Sequence, residues 1–192
     1  MLDKPMGGTE LMYEELMRRL PQEYKDKFSI EKFNRPEYDI SNKESCITLI
    51  SELNNFDIVI ITSGVKSEDL WDTYITNTVG PNYVTYGLYA ASKVKRIIVV
   101  SSYGGTWPSW PKIEKWRLFY NSSKQATTNF LTALYHSAKS TTKITAFDPS
   151  AFKSDMNPMD GMETEQVADT LYYIATLPDS LNIPNMKINK GQ

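Results

Sequence analysis

Cysteine and histidine are almost missing from this chain, with Cys46 and His136 each standing alone. A single thiol closes no internal disulfide and builds no cysteine zinc cluster, and a serine hydrolase built on His136 would need a long-range arrangement for which the sequence gives no support. Long apolar runs are missing too. The longest, residues 58–61 and 97–100, fall far short of the roughly 18 residues of a membrane helix, so no membrane partner is expected. Positive charge is not in excess: 21 Lys and Arg face 23 Asp and Glu, for a net charge of -2. Without a basic field, nucleic acid is not a natural partner. The opening residues include Asp3, Lys4 and Pro5 in place of the apolar stretch of a signal peptide, so the expected location is cytoplasmic.

What is present is an ordinary globular composition, 41% hydrophobic and 23% charged over 192 residues, enough for one domain with its own core. Leu11, Met12, Leu16 and Leu20 recur at helical spacing after Gly7-Gly8 and stop at Pro21, which predicts a helix. Residues 28–33 alternate apolar and polar, as a strand would. Ser41, with Glu44 three residues on, predicts the N-cap of a helix over 41–53. Residues 57–61 and 96–100 are β-branched runs of the kind buried on both faces of a parallel sheet. Helices are expected over 68–92, 117–138 and 163–176, and a further strand over 143–147. This alternation predicts an α/β fold, a parallel sheet flanked by helices in the Rossmann manner, with ligands bound beyond the carboxyl ends of the strands.

The loops at those ends read Thr62-Ser63-Gly64, Ser101-Ser102-Tyr103-Gly104 and Asp148-Pro149-Ser150, and Tyr120 and Lys124 lie between the last two. A tyrosine and a lysine four apart share one helix face. The ammonium is expected to lower the phenol's pKa toward neutrality, which suits proton exchange with a substrate oxygen. Tyr89 with Lys93 and Tyr135 with Lys139 have the same spacing, so spacing alone does not single out Tyr120. Its order does, after a strand ending in serines and before a strand ending in Asp148-Pro149.

Taken in that order, residues 39–156 resemble the short-chain dehydrogenase/reductase family. Asp39-Ile40 looks like the family's adenine-contacting pair, and Thr62-Ser63-Gly64 stands where the family has Asn-Asn-Ala-Gly. Asn77-Thr78-Val79-Gly80 resembles its asparagine motif, Ser102 matches its serine, and residues 149–156 resemble the segment that lies over the nicotinamide. The resemblance implies an oxidoreductase that moves hydride between a nicotinamide and a small carbonyl or alcohol. It makes Tyr120 the general acid or base, Ser102 the residue that orients the reacting oxygen, Lys124 the ribose ligand and Asn77 the holder of a relay water. Cofactor contacts are implied for Gly8, Asp39, Ile40, Ser63, Gly64, Pro149, Ser150, Phe152 and Ser154. Arg35 follows the first expected strand, where a positive charge favours the 2′-phosphate of NADP, with NAD as the alternative. A homodimer or homotetramer, paired through the helices around Tyr83 and Phe130, is implied in the same way.

The family pattern breaks at the front. Only Met1 to Met6 precede Gly7-Gly8, so the usual first strand and glycine-rich pyrophosphate turn are lacking and residues 1–36 form an atypical opening segment. That segment, about thirty residues from Gly7, resembles the first nucleotide-sugar helix of two-domain glycosyltransferases. The break leaves a second reading open, a catalytically impaired family member that persists as a binding or structural module. Trp107, Trp110 and Trp116 either line an aromatic pocket near Tyr120 or pack the loop or a subunit contact.

Overall fold

The structure, a computed structural model, describes residues 14, 15, 17, 18, 29–33, 36–106, 114–137, 140–154, 157 and 161–190. Residues 14, 15, 17 and 18 are helical. The rest of the expected first helix, Gly7, Gly8, Arg35, Trp107, Trp110 and Lys139 lie outside the described residues.

Four parallel strands form the sheet, in the order β1-β2-β3-β4. They are β1 (Ile58–Ile61), β2 (Arg96–Val100), β3 (Lys143–Pro149) and β4 (Asn185–Ile188). Val59 pairs with Ile97, Ile97 with Ile144, and Ala146 with Asn185. Helices cover both faces: α1 (Lys43–Leu53), α2 (Leu70–Tyr74), α3 (Gly80–Ala91), α4 (Lys115–His136) and α5 (Thr164–Ala175).

Strand alternation separates two cores. Ile97 and Val99 of β2 face a cluster with Leu49, Leu88 and Leu131 of α1, α3 and α4. Ile98 and Val100 face the other way, onto Phe147 and on to Val167, Leu171 and Ile174 of α5. All of β2 is buried, as a continuous β-branched run requires, and each such side chain contributes about 1.5–3 kcal/mol on burial. The same alternation fixes the functional geometry. Ile144 and Ala146 face the first core, so Asp148, two residues further on, points to the α4 side. Met186 and Ile188 pack on the second core, so Asn185 and Lys187 also point to the α4 side.

Four expectations change. The expected strand over 28–33 is not formed in its described part, 29–33; Phe33 instead packs edge-on to Tyr38 and Phe56, with centroids 5.1 and 5.5 Å away. Asn42, not Ser41, caps α1, accepting from Ser45 N–H at 2.9 Å. Ser41 is committed elsewhere, its hydroxyl donating to Asp39 Oδ1 at 2.7 Å.

The helix expected over 68–92 is interrupted by a π-helical stretch, Ile75–Val79. Pro81 explains the break: without an N–H it cannot bond the carbonyl four residues back, that of Asn77. Gly80 N–H bonds Ile75 O, and the released Asn77 carbonyl accepts from Thr127 Oγ1 on α4 at 2.7 Å. Finally, beyond the last expected helix the chain adds β4, a strand not among the expected ones, pairing Met186 with Phe147.

Candidate active site

α4 brings the site together because its polar residues, unusual in a packed helix, face the strand ends. Trp116, Tyr120 and Lys124 fall every fourth residue, on one stripe. Lys124 is buried at 3% exposure, and its ammonium donates to Ser63 O and Val100 O, both at 3.0 Å, tying α4 to the ends of β1 and β2. Gly64 belongs to this contact: a Cβ there would lie 3.2 Å from Lys124 Nζ. Asn77, fully buried, clamps the next residue from both sides. Its Oδ1 accepts from Val65 N–H at 2.8 Å, and its Nδ2 donates to Val65 O at 3.0 Å and to Ser123 Oγ at 3.1 Å.

The two serines at the end of β2 part ways. Ser101 is buried, donating its hydroxyl to Lys124 O at 2.8 Å and its N–H to Phe147 O at 2.7 Å. Ser102 is half-buried and lies near enough to Tyr120 to lower the phenol's pKa, while its Oγ accepts from Gly104 N–H at 3.2 Å. Ser102, Tyr120, Lys124, Ser63, Gly64 and Asn77 are therefore brought to one place.

The electrostatics correct one expectation. Tyr120 keeps some exposed surface, but burial pushes its pKa up to about 12, opposed only in part by the neighbouring Ser102. The Lys124 ammonium lies 6.0 Å from the ring centroid and is itself pushed down to about 8 by burial, with Asp148 opposing. Desolvation outweighs the lysine's charge. At neutral pH the phenol keeps its proton, so the arrangement can donate one to a basic oxygen.

The other two tyrosine-lysine spacings come apart or run out of the described residues. α3 ends at Ala91, and Ser92 turns into the left-handed region at φ 53, so Lys93 lies off the helix. Tyr89 instead shares a 2.8 Å hydrogen bond with Ser137. Lys139 is outside the described residues, and Tyr135 packs against His136 at 5.0 Å. His136 is exposed at the end of α4.

Asp39 Oδ1 accepts from both the N–H and the hydroxyl of Ser41, and Ile40 O accepts from Cys46 Sγ at 3.2 Å. Ile40 also packs so tightly on Gly80 that a Cβ there would fall 2.0 Å from its carbonyl oxygen. Pro149 ends β3, and Ser150 N–H bonds Ile188 O at 2.9 Å. Phe152 bridges to Met162 and joins the second core, while Ser154, buried, bridges to Asn157. These two residues close the loop before α5.

The sequence reading missed a polar node beside the site. Asp148, fully buried, has Oδ1 3.0 Å from Thr128 Oγ1 and accepts from Asn185 Nδ2 at Oδ2, 2.9 Å. Thr128 Oγ1 is also 2.8 Å from Ser101 Oγ. Burial raises the Asp148 pKa against these bonds and against Lys187 and Lys124. The available signal was Asp148-Pro149 at a strand end facing Thr127-Thr128 in a helix.

Fold and site together define a Rossmann-like α/β protein with a serine, a tyrosine and a lysine converging at the carboxyl ends of a parallel sheet. That fold is the fold of the short-chain dehydrogenases/reductases. A crystal structure of serine dehydrogenase from Escherichia coli matches with a TM-score of 0.68 at 18% identity, over 95% of this chain and 94% of that one. The NADPH-dependent 3-quinuclidinone reductase from Rhodotorula rubra matches at 0.72 and 14% identity, over 95% and 86%. A short-chain dehydrogenase from Burkholderia cenocepacia J2315, crystallised with NADP, matches at 0.67 and 17% identity, over 79% and 73%. No protein-family model matches the sequence, and no curated protein matches it. Among the described residues, no helix is long and apolar enough to cross a membrane.

Proposed function

We propose that the protein is an NADP-dependent oxidoreductase acting on a small carbonyl or alcohol. The observation that carries this is the convergence of Ser102, Tyr120 and Lys124 on one side of the sheet end, with the Lys124 ammonium 6.0 Å from the Tyr120 ring and Ser102 beside the phenol. When bound, the nicotinamide supplies or accepts the hydride. Tyr120 gives its proton to the substrate oxygen in the reductive direction, Ser102 orients that oxygen, and Lys124 holds the ribose.

The residues present fit the ribose and nicotinamide end of such a cofactor. Ser63 Oγ is buried with no hydrogen-bond partner, beside an ammonium that uses two of its three protons on backbone carbonyls. An orphaned hydroxyl next to a donor with one proton left is the chemistry a ribose diol satisfies. Gly64 leaves the approach open, and Pro149 and Ser150 stand at the neighbouring strand end. Asn77 is assigned the relay-water role, Asp39 and Ile40 the adenine and Arg35 the 2′-phosphate. Gly8 is assigned the pyrophosphate.

A cytoplasmic homodimer or homotetramer paired around Tyr83 and Phe130 completes the reading. Exposed apolar side chains support it: Val79 at 56%, Tyr83 at 41% and Tyr86 at 57%. One observation favours the non-catalytic alternative, a binding or structural module: among the described residues no strand precedes β1, so none supports a pyrophosphate turn there. Carbonyl-dependent NADPH oxidation that falls at least ~100-fold in Tyr120→Phe, with the fold intact, is the expected result. Undiminished oxidation in that variant, or none in the wild type with any aldehyde or ketone, rejects the oxidoreductase reading.

A further inference from the structure

Two cations gather on one indole at the outer end of the site. Lys66 Nζ lies 4.9 Å from the Trp116 ring centroid and Arg117 Cζ lies 5.1 Å from it. All three side chains are half-buried. Their place relative to Tyr120 follows from contacts already described, because the loop after β1 runs along α4 in the opposite sense. Ser63 meets Lys124, Gly64 faces Lys124 and Asn77, Val65 is clamped by Asn77, and Lys66 reaches Trp116. From Lys124 to Trp116 is eight residues of helix, about 12 Å, a span covered by the three loop steps from Ser63 to Lys66, about 10–11 Å when extended, together with the Lys66 side chain. Tyr120 sits midway, so the Lys66 and Arg117 pair lies one turn beyond it, on the side away from Lys124.

Resting on the oxidoreductase reading above, we propose that Lys66 and Arg117 form an anion-recognition subsite that selects carbonyl substrates carrying a carboxylate. With the ribose at the Lys124 end and the reacting oxygen at Tyr120, the remainder of a substrate extends toward Trp116. Partial burial and the neighbouring Arg117 both push the Lys66 pKa down, so an incoming carboxylate relieves like-charge repulsion as well as forming charge-assisted hydrogen bonds. Glu114 pairs with Arg117 Nε at 3.0 Å, but this pair is partly exposed, at 34% and 58%, and such pairs are weak. Lys115, exposed, sits over Phe119 at 5.7 Å and belongs to a different cluster.

The test uses the full chain saturated with NADP+, which cannot reduce an aldehyde, and two aldehydes of different shape, 4-carboxybenzaldehyde and succinic semialdehyde, each compared with its methyl ester by calorimetry, with reduction assayed separately with NADPH. The wild type is expected to bind the acids roughly 10–100-fold more tightly than the esters. Lys66→Met should remove most of that preference, Lys66→Arg should keep it, and both should bind NADPH as the wild type does. Three results overturn the subsite: no preference in the wild type, preference undiminished in Lys66→Met and Arg117→Met alike, or weakened NADPH binding in Lys66→Met with the preference intact. The last would assign Lys66 to a cofactor anion. Binding is read without turnover, so selective binding with no reduction rejects the oxidoreductase reading alone, and reduction of acids and esters with equal affinity rejects the subsite alone.

Discussion

Replacing Lys124 by Met isolates the cost of burying its ammonium. Burial takes the lysine from its ordinary 10.5 to about 8, so below pH 8 the ammonium is charged in both folded and unfolded states and the fold bears the penalty. With a folded pKa below the unfolded one, that penalty fades as pH rises from about 8 to 10.5 and is gone above 10.5. At pH 7 it is about 3 kcal/mol, and at pH 10 less than about 1. Methionine has no such term, but it leaves Ser63 O and Val100 O without their donor, at roughly 1–3 kcal/mol each. The net change at pH 7 is therefore small or destabilising, and its pH dependence is the diagnostic. Urea unfolding of both proteins at pH 7 and pH 10 should show wild type gaining about 2–3 kcal/mol on the variant between the two. A pH-independent difference would refute the account of a desolvated ammonium. The same titration limits catalysis: kcat/KM for reduction should fall about tenfold from pH 7 to pH 9 as the free enzyme's ammonium is lost, while Tyr120 stays protonated.

Gly80→Ala should cost at least about 1–3 kcal/mol, or several degrees in Tm, because its Cβ would meet the Ile40 backbone at 2.0 Å. Gly87→Ala should cost less, since the nearest atom is the movable Ile50 Cδ1 at 2.5 Å; equal losses by calorimetry would contradict this contrast. Asp148→Asn can keep both its Thr128 and Asn185 hydrogen bonds by orienting its amide, and should stay within about 1 kcal/mol of wild type at pH 7, whereas Asp148→Ala leaves Asn185 Nδ2 without this acceptor and Thr128 with Ser101 alone, and should lose about 1–3 kcal/mol. The raised Asp148 pKa also means its stabilising proton is lost as pH rises through the folded value. The stability gap between wild type and Asp148→Asn should therefore shift in favour of Asn with rising pH, and a constant gap in denaturation curves would count against a raised pKa.

Residues 58–61 and 96–100 were legible as strands because β-branched runs have few other uses, and Tyr120 with Lys124 stood out from equal spacings by order along the chain. The structure adds why one imitation fails: α3 ends two residues before Lys93. β4 was not legible, since Met186 and Ile188 alternate with Asn185 and Lys187 over only four residues, a pattern equally suited to a polar tail. The π-helical break needed only Pro81 and the Asn77 carbonyl four residues before it, a signal present but unused. The Tyr120 shift was unreadable for a different reason. Sequence spacing reports the neighbouring charge, but burial outweighs it, and burial is not written in the spacing of two residues. Asp148 hides its partners in the same way, with Thr128 and Asn185 20 and 37 residues away.

The most direct test of the central claim is the thermal midpoint of the full chain with and without NADPH. A ligand at 100 times its dissociation constant adds about 2.7 kcal/mol, which for a chain of this size is a rise of roughly 5–10 °C. That rise, reduced in Lys124→Met, is the predicted result. An unchanged midpoint at millimolar NADPH would contradict a nicotinamide site at Ser63, Ser102, Tyr120 and Lys124.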